Sequence, residues 1–219
     1  MYGIKVEVWG DYALFTRPEF KVERCTYEVM TPSAARGLLE SIYWHPGMRW
    51  IIDRIYVLNP IKYMNIRRNE VKSKISGGNV KQAMLGKTPD LWISTSDEIA
   101  QRAALVLKNV HYVIDAHFEM TDQANDTDNR GKFSDIIKRR LKRGSCYSQP
   151  YFGCREFTAN FQVWPKEHQI VTAYNTEVID LGYMLYDMDY SDPKNIVPQF
   201  FHAVLDHGIL DLTTVEVSG

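Results

Sequence analysis

The sequence predicts an α+β protein whose first domain has the ferredoxin-like fold, the split βαβ arrangement also found in RRM domains. Two observations carry this prediction. Four segments alternate apolar and polar residues, and two amphipathic helical segments separate the first strand from the second and the third from the fourth. The order β-α-β-β-α-β gives an antiparallel sheet with two helices on one face. We expect this RRM-like domain to span residues 1–164, and residues 165–219 to form a small C-terminal β-domain.

The strands of the first domain are predicted from period-two alternation, which is typical of a half-buried β-strand. Gly10 and Asp11 are expected to end the first strand, because glycine and aspartate are frequent where strands stop. The second strand is rich in β-branched residues, which favour extended backbone. The predicted strands are residues 4–9, 50–58, 110–120 and 155–164.

The two helices are predicted from their end signals. Thr31 followed by Pro32 is typical of an N-cap and first helical position, and the first helix should end by residue 44 or 45, before Pro46. The second helix is predicted at residues 132–143, with an apolar stripe on one side and Gly144 as its C-terminal stop.

Two regions fit this scheme less directly. Residues 60–108 are basic and contain Gly77-Gly78, so we interpret them as an insertion that is partly loop, with a helix predicted at residues 97–108. In the C-terminal region we expect strands at residues 178–190 and 209–217 and a short helix at residues 198–206.

Composition narrows the functional classes. The chain is 45% hydrophobic and 24% charged, which is typical of a soluble globular protein, and it has no apolar run long enough to span a membrane. Residues near Met1 lack an apolar signal core, so a cytoplasmic protein is expected. The three cysteines have no CxxC spacing, which makes a disulfide framework or zinc site an unfavourable interpretation.

Charge is segregated although the formal net charge is only −1. Residues 62–87 carry seven lysines and arginines against one glutamate, residues 130–155 carry eight against one aspartate, and the C-terminal region is acidic. This asymmetry indicates a surface for a polyanion. Charge alone leaves open the alternative that these are ordinary solvated faces.

The third predicted strand places several titratable residues on one face. Residues 112, 114, 116 and 118 are apolar, whereas His111, Asp115, His117 and Glu119 alternate with them. A histidine on a rigid strand is well placed for proton transfer near neutral pH. The alternative, a solvated histidine on a polar face, stays open at this point.

Four segments together resemble a known family. They are Gly-Asp-Tyr-Ala-Leu-Phe at residues 10–15, Glu-Ser-Ile-Tyr-Trp-His-Pro at residues 40–46, the strand at residues 110–120, and Tyr-Phe-Gly-Cys-Arg-Glu at residues 151–156. In this order they are similar to the type I-C (Dvulg subtype) CRISPR-associated RAMP proteins of family five. The resemblance covers nearly the whole chain.

The resemblance implies a pre-crRNA processing endoribonuclease. Such a protein cleaves precursor CRISPR RNA within the repeat, near the repeat hairpin, by attack of a 2′-hydroxyl that leaves a 2′,3′-cyclic phosphate, without a metal or other cofactor. It retains the 5′ handle and joins the type I-C interference complex. The implied partners are the repeat RNA, the backbone RAMP subunit and the large subunit of that complex, with no membrane partner.

The resemblance also implies site residues. The family's active tyrosine corresponds to Tyr43 and its histidine to His117. Family members with a three-residue site have a lysine where this chain has Asp115. The interpretations left open are weaker catalysis, a substitute cation, or an Asp115 that orients His117. The candidate substitutes are His45, Lys108, Arg24 and Arg155.

The residue chemistry is compatible with these roles. Histidine transfers protons near neutrality, whereas a tyrosine hydroxyl is a poor base at pH 7 and more suited to orienting a hydroxyl or phosphate oxygen. A carboxylate at position 115 would lie about 6.5–7 Å from residue 117 along the same strand face and favour an imidazolium, which suits a general acid. The expected phosphate contacts are Arg24, Arg67, Arg68, Lys72, Lys74, Lys108, Arg139, Arg140, Lys142, Arg143 and Arg155.

A second hypothesis belongs to another functional class. The chain could instead be a structural subunit that binds the 5′ handle without cleaving it. Loss of catalytic activity in such a subunit would also explain why Asp115 replaces the family lysine. Sequence favours the enzyme over this binding module. Cleavage of a cognate repeat RNA in EDTA discriminates between the two.

Overall fold

A computed structural model describes residues 3–20, 22–87, 91–192 and 194–219. Within these ranges the chain forms nine strands and three helices. The elements in chain order are β1 (Gly3–Ala13), β2 (Arg24–Cys25), α1 (Pro32–Ile42), β3 (Met48–Val57), β4 (Tyr63–Val71), α2 (Gly77–Met84), β5 (Ile99–Met120), α3 (Arg130–Arg143), β6 (Asn160–Val163), β7 (Val178–Asp189), β8 (Val197–Asp206) and β9 (Ile209–Asp211).

The sheet has the predicted ferredoxin-like centre. Its strands are ordered β6-β1-β5-β3-β9-β8-β7, and the first four are the fourth, first, third and second strands of the split βαβ unit. The pairs β6–β1, β1–β5 and β5–β3 are all antiparallel. Helices α1 and α3 pack against the strands and against each other. The predicted fold class is therefore confirmed.

The core lies between the helices and one face of β5. Tyr112, Ile114, Ala116 and Phe118 of β5 are at most 4% exposed, whereas His111, Asp115 and His117 on the other face are half-buried, so the predicted alternation of this strand is confirmed. Val113 on that other face is also fully buried. Phe133 of α3 is fully buried, and its ring centre lies 6.2 Å from that of Phe118 in an edge-to-face arrangement. We call this side of the sheet the helix face and the opposite side the open face.

Local signals set the ends of the two long helices. The Thr31 hydroxyl accepts a hydrogen bond from the Ala34 amide at 3.2 Å and caps α1 as predicted. Helix α3 begins two residues before the predicted start, because the Asn129 side chain accepts from the Lys132 amide at 2.9 Å. It ends at Gly144, whose φ of 63° is the left-handed conformation that glycine adopts most readily.

The helix predicted at residues 97–108 is wrong. From residue 99 this segment belongs to β5, which runs for 22 residues and pairs with β4 through Ile99–Leu107 and with β2 at Ala104 and Leu105. The apolar spacing of this segment suits a helix, but hydrogen bonds to two distant strands stabilise the extended form. Tertiary pairing thus overrides a weak local preference.

The short helix predicted at residues 198–206 is also wrong, because this segment is β8 and pairs with β7 and β9. The first strand continues past Gly10, which pairs with Val110. The strands predicted at residues 155–164 and 209–217 are shorter than expected, since they are confined to β6 and β9, whereas β7 covers nearly all of the strand predicted at residues 178–190.

A basic arm extends from the sheet. It consists of β4, α2 and the first nine residues of β5, and it accounts for most of the insertion predicted at residues 60–108. Residues 88–90 of that insertion lie outside the described residues. Beyond residue 107 the strand β5 continues directly into the centre of the sheet.

The C-terminal strands extend the same sheet. Strand β9 pairs with β3, and β8 and β7 follow it in order. The division into two domains at residue 164 stays a prediction.

The backbone conformation at residue 153 explains why the Tyr-Phe-Gly motif has glycine at its third position. The φ of Gly153 is +74°, and a Cβ atom there would lie 2.0 Å from the carbonyl oxygen of Leu14. This close approach is fixed by the neighbouring hydrogen bond from the Leu14 amide to the Phe152 carbonyl, at 3.0 Å. Only glycine fits both the backbone conformation and the contact.

Gly153→Ala should therefore destabilise the fold more than Gly182→Ala. Gly182 has a φ of +70° with no atom within 4 Å of the place where a methyl group would lie, so that substitution carries only the conformational cost of about 1–2 kcal/mol. Gly153→Ala adds a backbone clash and should cost about 2–5 kcal/mol. The free energy of unfolding in urea measures both, and equal losses would contradict the packing argument.

Candidate active site

His117 lies in the middle of the sheet, on the open face. It occupies β5 opposite Gly3 of β1 and Ile51 of β3. Because alternate residues of a strand point to opposite faces, its side chain points away from the helices that cover Phe118. The imidazole is 18% exposed, so it is held by neighbours and still reachable.

A β-bulge places a carboxylate beside His117. The register between β3 and β5 shifts between Ile52 and Arg54, so Asp53 is an extra residue in β3. The two carboxylate oxygens of Asp53 lie 2.9 and 3.0 Å from His117 Nδ1. The Asp53 carbonyl accepts a hydrogen bond from the Leu212 amide at 2.9 Å, so the segment after β9 holds the bulge. Bulges often re-aim a side chain in this way next to active sites.

The hydrogen bond to Asp53 fixes the state of the imidazole. An ionised carboxylate only accepts hydrogen bonds, so His117 carries a proton on Nδ1 and leaves Nε2 for a ligand. The same arrangement orients the histidine of a serine-protease triad and stabilises its imidazolium. The pair can therefore transfer a proton through Nε2.

Sequence reasoning missed Asp53. It expected Asp115 to be the carboxylate that could orient His117, but the structure pairs His117 with Asp53 instead. One signal was present in the sequence: Asp53 and Arg54 are two consecutive polar residues between the apolar residues Ile52 and Ile55, which breaks the period of two of a regular strand.

Asp115 faces a cation that sequence reasoning did not consider. Lys5 lies opposite Asp115 in the β1–β5 pair, and its Nζ is 3.6 Å from an Asp115 carboxylate oxygen. Burial raises the pKa of Asp115 above its ordinary value, the nearby Asp53 charge adds to that rise, and Lys5 acts in the opposite direction. Lys5 thus provides an ammonium group on the same face as His117.

The four proposed substitutes for the family lysine lie elsewhere. Arg24 pairs with Glu70 of the arm at 3.3 Å. Lys108 is nine residues along β5 from His117, roughly 30 Å at the usual rise. Arg155 is exposed in the turn before β6, and His45 lies on the helix face.

Tyr43 and His117 are on opposite faces of the sheet, so the structure does not bring this predicted pair together. Tyr43 is the C-cap of α1, and its ring packs 6.1 Å from that of Phe133. Its carbonyl accepts from the Trp50 indole at 2.9 Å. Because its ring packs on Phe133, the Tyr43 side chain lies across the sheet from the His117 imidazole.

Tyr43 belongs to a second polar cluster, on the helix face. The guanidinium carbon of Arg140 lies 5.1 Å from the centre of the Tyr43 ring. Burial raises the pKa of Tyr43, and the charge of Arg140 opposes the rise. His45 packs on Phe133 with ring centres 4.9 Å apart, and its Nδ1 accepts from the Gly47 amide at 3.0 Å.

The predicted phosphate-binding residues fall into two groups. On the arm, Arg67 is exposed and has no ion-pair partner among the described residues, whereas Arg68 pairs with Glu156 and stacks on Phe157 with 5.0 Å between its guanidinium carbon and the ring centre. Lys72 and Lys74 are exposed just beyond β4. On α3 the exposed members are Arg139, Lys142 and Arg143, while Arg140 donates to the Ile42 carbonyl.

Fold and site together define a class: a ferredoxin-like protein with a histidine–carboxylate pair on the open face of its sheet and a basic arm beside it. A family model described as CRISPR-associated protein (Cas_Cas5), of the Cas5d type, matches residues 3–213. The chain belongs to this Cas5d family. No helix in the described ranges is long and apolar enough to cross a membrane.

Two curated relatives agree with this assignment. The chain is 46% identical over 213 residues to the CRISPR pre-crRNA endoribonuclease Cas5d of Mannheimia succiniciproducens, covering 95% of this chain and 94% of that protein. It is 38% identical to the protein of the same name from Thermus thermophilus, covering 97% and 92%.

Solved structures share the fold. A CRISPR-associated protein superimposes with a TM-score of 0.72 at 22% identity, over 99% of this chain and 96% of that one. A chain of a CRISPR RNA-guided surveillance complex gives a TM-score of 0.51 at 10% identity, over 99% and 89%. At these identities the likeness concerns the fold alone.

Because the pKa of Asp115 is raised, Asp115→Asn should change the stability of the fold by an amount that depends on pH. Because the folded-state pKa lies above the unfolded value of about 3.9, ionisation of Asp115 opposes folding as the pH rises through the folded-state pKa. The variant should therefore have a higher urea midpoint than the parent at pH 7 and a smaller advantage at pH 4.

Asp189→Asn is the control, and it should change stability in the opposite direction. The Ser191 amide donates to Asp189 and lowers the pKa of its carboxyl. Stability from that group is present above the unfolded pKa, so this variant should be less stable than the parent at pH 7 and closer to it at low pH. An Asp115→Asn effect that does not change between the two pH values would contradict the argument.

Proposed function

We propose that this chain is an endoribonuclease that cleaves precursor CRISPR RNA within the repeat, without a metal ion. The proposal rests on membership of the Cas5d family, whose two relatives above are named pre-crRNA endoribonucleases. The observation that carries it is the hydrogen-bonded pair of His117 and Asp53 on the open face. A proton donor held on a rigid strand is what an RNA phosphodiester needs at its leaving group.

In the proposed reaction His117 is the general acid. The 2′-hydroxyl loses its proton to water, and O2′ forms a bond to phosphorus. The bond from phosphorus to the 5′-oxygen breaks, and that oxygen takes the proton from Nε2 of the His117 imidazolium. The products are a 2′,3′-cyclic phosphate and a free 5′-hydroxyl. Asp53 stabilises the imidazolium through Nδ1, as the aspartate does in a catalytic triad.

Lys5 is the proposed electrostatic group. Its ammonium lies on the same face, two residues along β1 from the position opposite His117. A cation there offsets the charge of Asp115 and stabilises the negative charge that develops on the phosphate oxygens. We therefore assign the role of the lysine that Asp115 replaces to Lys5 rather than to His45, Lys108, Arg24 or Arg155.

The helix-face cluster is a proposed RNA contact. Tyr43, His45 and Arg140 present a hydroxyl, an imidazole and a guanidinium on the other side of the sheet from His117. Such groups can position a phosphate without transferring protons. The basic arm and the exposed arginines of α3 would supply further phosphate contacts, hold the hairpin and retain the 5′ handle.

The proposed partners follow from the family. After cleavage the protein would join the type I-C interference complex beside its backbone RAMP subunit and large subunit. RNA is a polyanion, and the segregated charge of the chain suits its binding. The arm and α3 are basic, whereas β7 and the segments after it are acidic.

The catalytic assignment predicts that purified protein cleaves its cognate repeat RNA in EDTA, and that His117→Ala lowers the single-turnover rate by about 10²–10⁴ with binding within about 1 kcal/mol of the parent. Asp53→Asn should cause a smaller loss. An RNA with sulfur in place of the bridging 5′-oxygen should restore cleavage by His117→Ala, since a thiolate leaves without protonation.

Tyr43→Phe is the matched control for this experiment. It removes only a hydroxyl from the helix face, so it should retain most of the cleavage rate. If Tyr43→Phe is inactive and His117→Ala is active, the reaction takes place on the helix face and the proposed site is wrong. Tight binding by the parent without any cleavage would instead identify a non-catalytic subunit.

If the arm binds RNA phosphates, its arginines should contribute to the salt dependence of RNA affinity. Arg67 is exposed and unpaired among the described residues, so Arg67→Gln should weaken RNA binding similarly for different sequences and reduce the slope of log Kd against log salt by about 0.7–0.9. Arg49→Gln, which removes an exposed arginine paired with Glu119 at 3.1 Å, is the control. An unchanged slope for Arg67→Gln would make the arm an ordinary solvated surface.

A further inference from the structure

A cleft lies on the open face at the other end of the two central strands from His117. Trp9 of β1 and His111 of β5 are register partners there, with ring centres 6.2 Å apart and planes inclined by 62°. The cleft is lined by these two rings and by polar groups, among them Glu7, Asp11, Asn59 and Asn109.

The two rings occupy the positions that stack RNA bases in RRM domains. In those domains aromatic residues on the two central strands of the ferredoxin-like sheet stack two or three unpaired bases. Strands β1 and β5 are the equivalent central strands here. Because their planes are inclined by 62°, the pair offers a planar, unpaired base one stacking face, that of Trp9, with the His111 ring set at an angle beside it.

The platform is pre-organised by a hydrogen-bond chain. His111 Nε2 lies 2.7 Å from one carboxylate oxygen of Glu7, and the other oxygen accepts from the Gln162 side chain at 2.5 Å. The Glu7 side chain is only 13% exposed and both of its oxygens are engaged. Glu7 and Gln162 are thus positioning residues that fix the His111 ring beside Trp9.

The rim of the cleft provides acceptors. The Asn59 side chain donates to the Asn109 carbonyl at 2.9 Å and holds Asn109 in a left-handed conformation with φ of 59°. Within the described part of the chain the side chains of Asp11 and Asn109 have no hydrogen-bond or ion-pair partner. A carboxylate beside a stacking platform favours a base edge with adjacent N–H donors. Guanine alone among the four bases carries two adjacent donor groups, N1–H and the 2-amino group.

We propose that this cleft is a specificity subsite that binds one unpaired guanine of the RNA, stacked on Trp9 beside the His111 ring and read by Asp11. The inference rests on the proposed function, since it assigns a second contact to the same RNA. His111 and His117 are six residues apart on one strand face, roughly 20 Å, which a few extended nucleotides span. The subsite would set where the repeat lies relative to the His117 centre.

The chain contains a matched control for this platform. Tyr183 of β7 and His202 of β8 are also register partners, with ring centres 5.7 Å apart, and His202 pairs with Asp180 at 3.0 Å. This aromatic–histidine–carboxylate group has the same chemistry, but it lies on the outer hairpin, with Tyr183 68% exposed.

The first test measures binding of fluorescently labelled cognate repeat RNA by anisotropy in the His117→Ala background, so that the RNA stays intact. Trp9→Ala should raise Kd about tenfold to a hundredfold, the range for losing one base–aromatic stack. Trp9→Phe should restore most of the affinity, because it keeps a stacking ring, and Tyr183→Ala should bind as the parent does.

The second test identifies the base. Each unpaired position of the repeat is replaced in turn by each of the four bases. At one position guanine should bind tightest, and Asp11→Asn should remove that preference without changing the others. A preference for another base at that position would overturn the guanine assignment, and no position-specific effect would overturn the subsite.

The outcomes separate this inference from the proposed function. If the parent protein cleaves repeat RNA in EDTA but the folded Trp9→Ala and Asp11→Asn variants bind like the parent, the subsite is wrong and the endoribonuclease stands. If binding depends on Trp9 and guanine but nothing is cleaved, the subsite stands and the endoribonuclease fails. Should Trp9→Ala melt at a lower temperature than the parent, Trp9→Phe and Asp11→Asn, which retain the packing, decide the question.

Discussion

The hydrogen-bonded register of strand β5 is the constraint on which the rest of the structure depends. This strand pairs with β1, β3, β4 and β2 along its 22 residues. Because side chains alternate, one register sends Tyr112, Ile114, Ala116 and Phe118 to the helices and His111, Asp115 and His117 to the open face. A slip of one residue would bury the titratable groups and expose the core.

The bulge in β3 is the second constraint, and it connects distant parts of the chain. It aims the Asp53 carboxylate at His117, while the Asp53 carbonyl is bound by the Leu212 amide. The segment after β9 therefore contributes to the site through the backbone of Asp53. A substitution near residue 212 that moved the bulge would change proton transfer while leaving the platform of Trp9 and His111 in place.

The open face combines two kinds of recognition on one rigid surface. His117, Asp53 and Lys5 form a compact charged centre, whereas Trp9, His111 and Asp11 form an aromatic cleft with free acceptors. The arm adds cations at a distance, where they supply affinity rather than specificity. Such a division lets an RNA be held by its backbone, positioned by one base and cleaved at one phosphate.

Sequence patterns predict the split βαβ centre, both long helices with their caps at Thr31 and Gly144, and the two faces of β5, because each depends on local periodicity and end chemistry. They also point to His117. That residues 99–108 and 198–206 are strands follows from the tertiary structure, since their hydrogen bonds join segments far apart in the chain. The tertiary structure likewise decided that Asp53 rather than Asp115 holds His117, and that Tyr43 lies across the sheet from it. A bulge and the side on which a helix packs are relations between elements, and no pattern within one element fixes them.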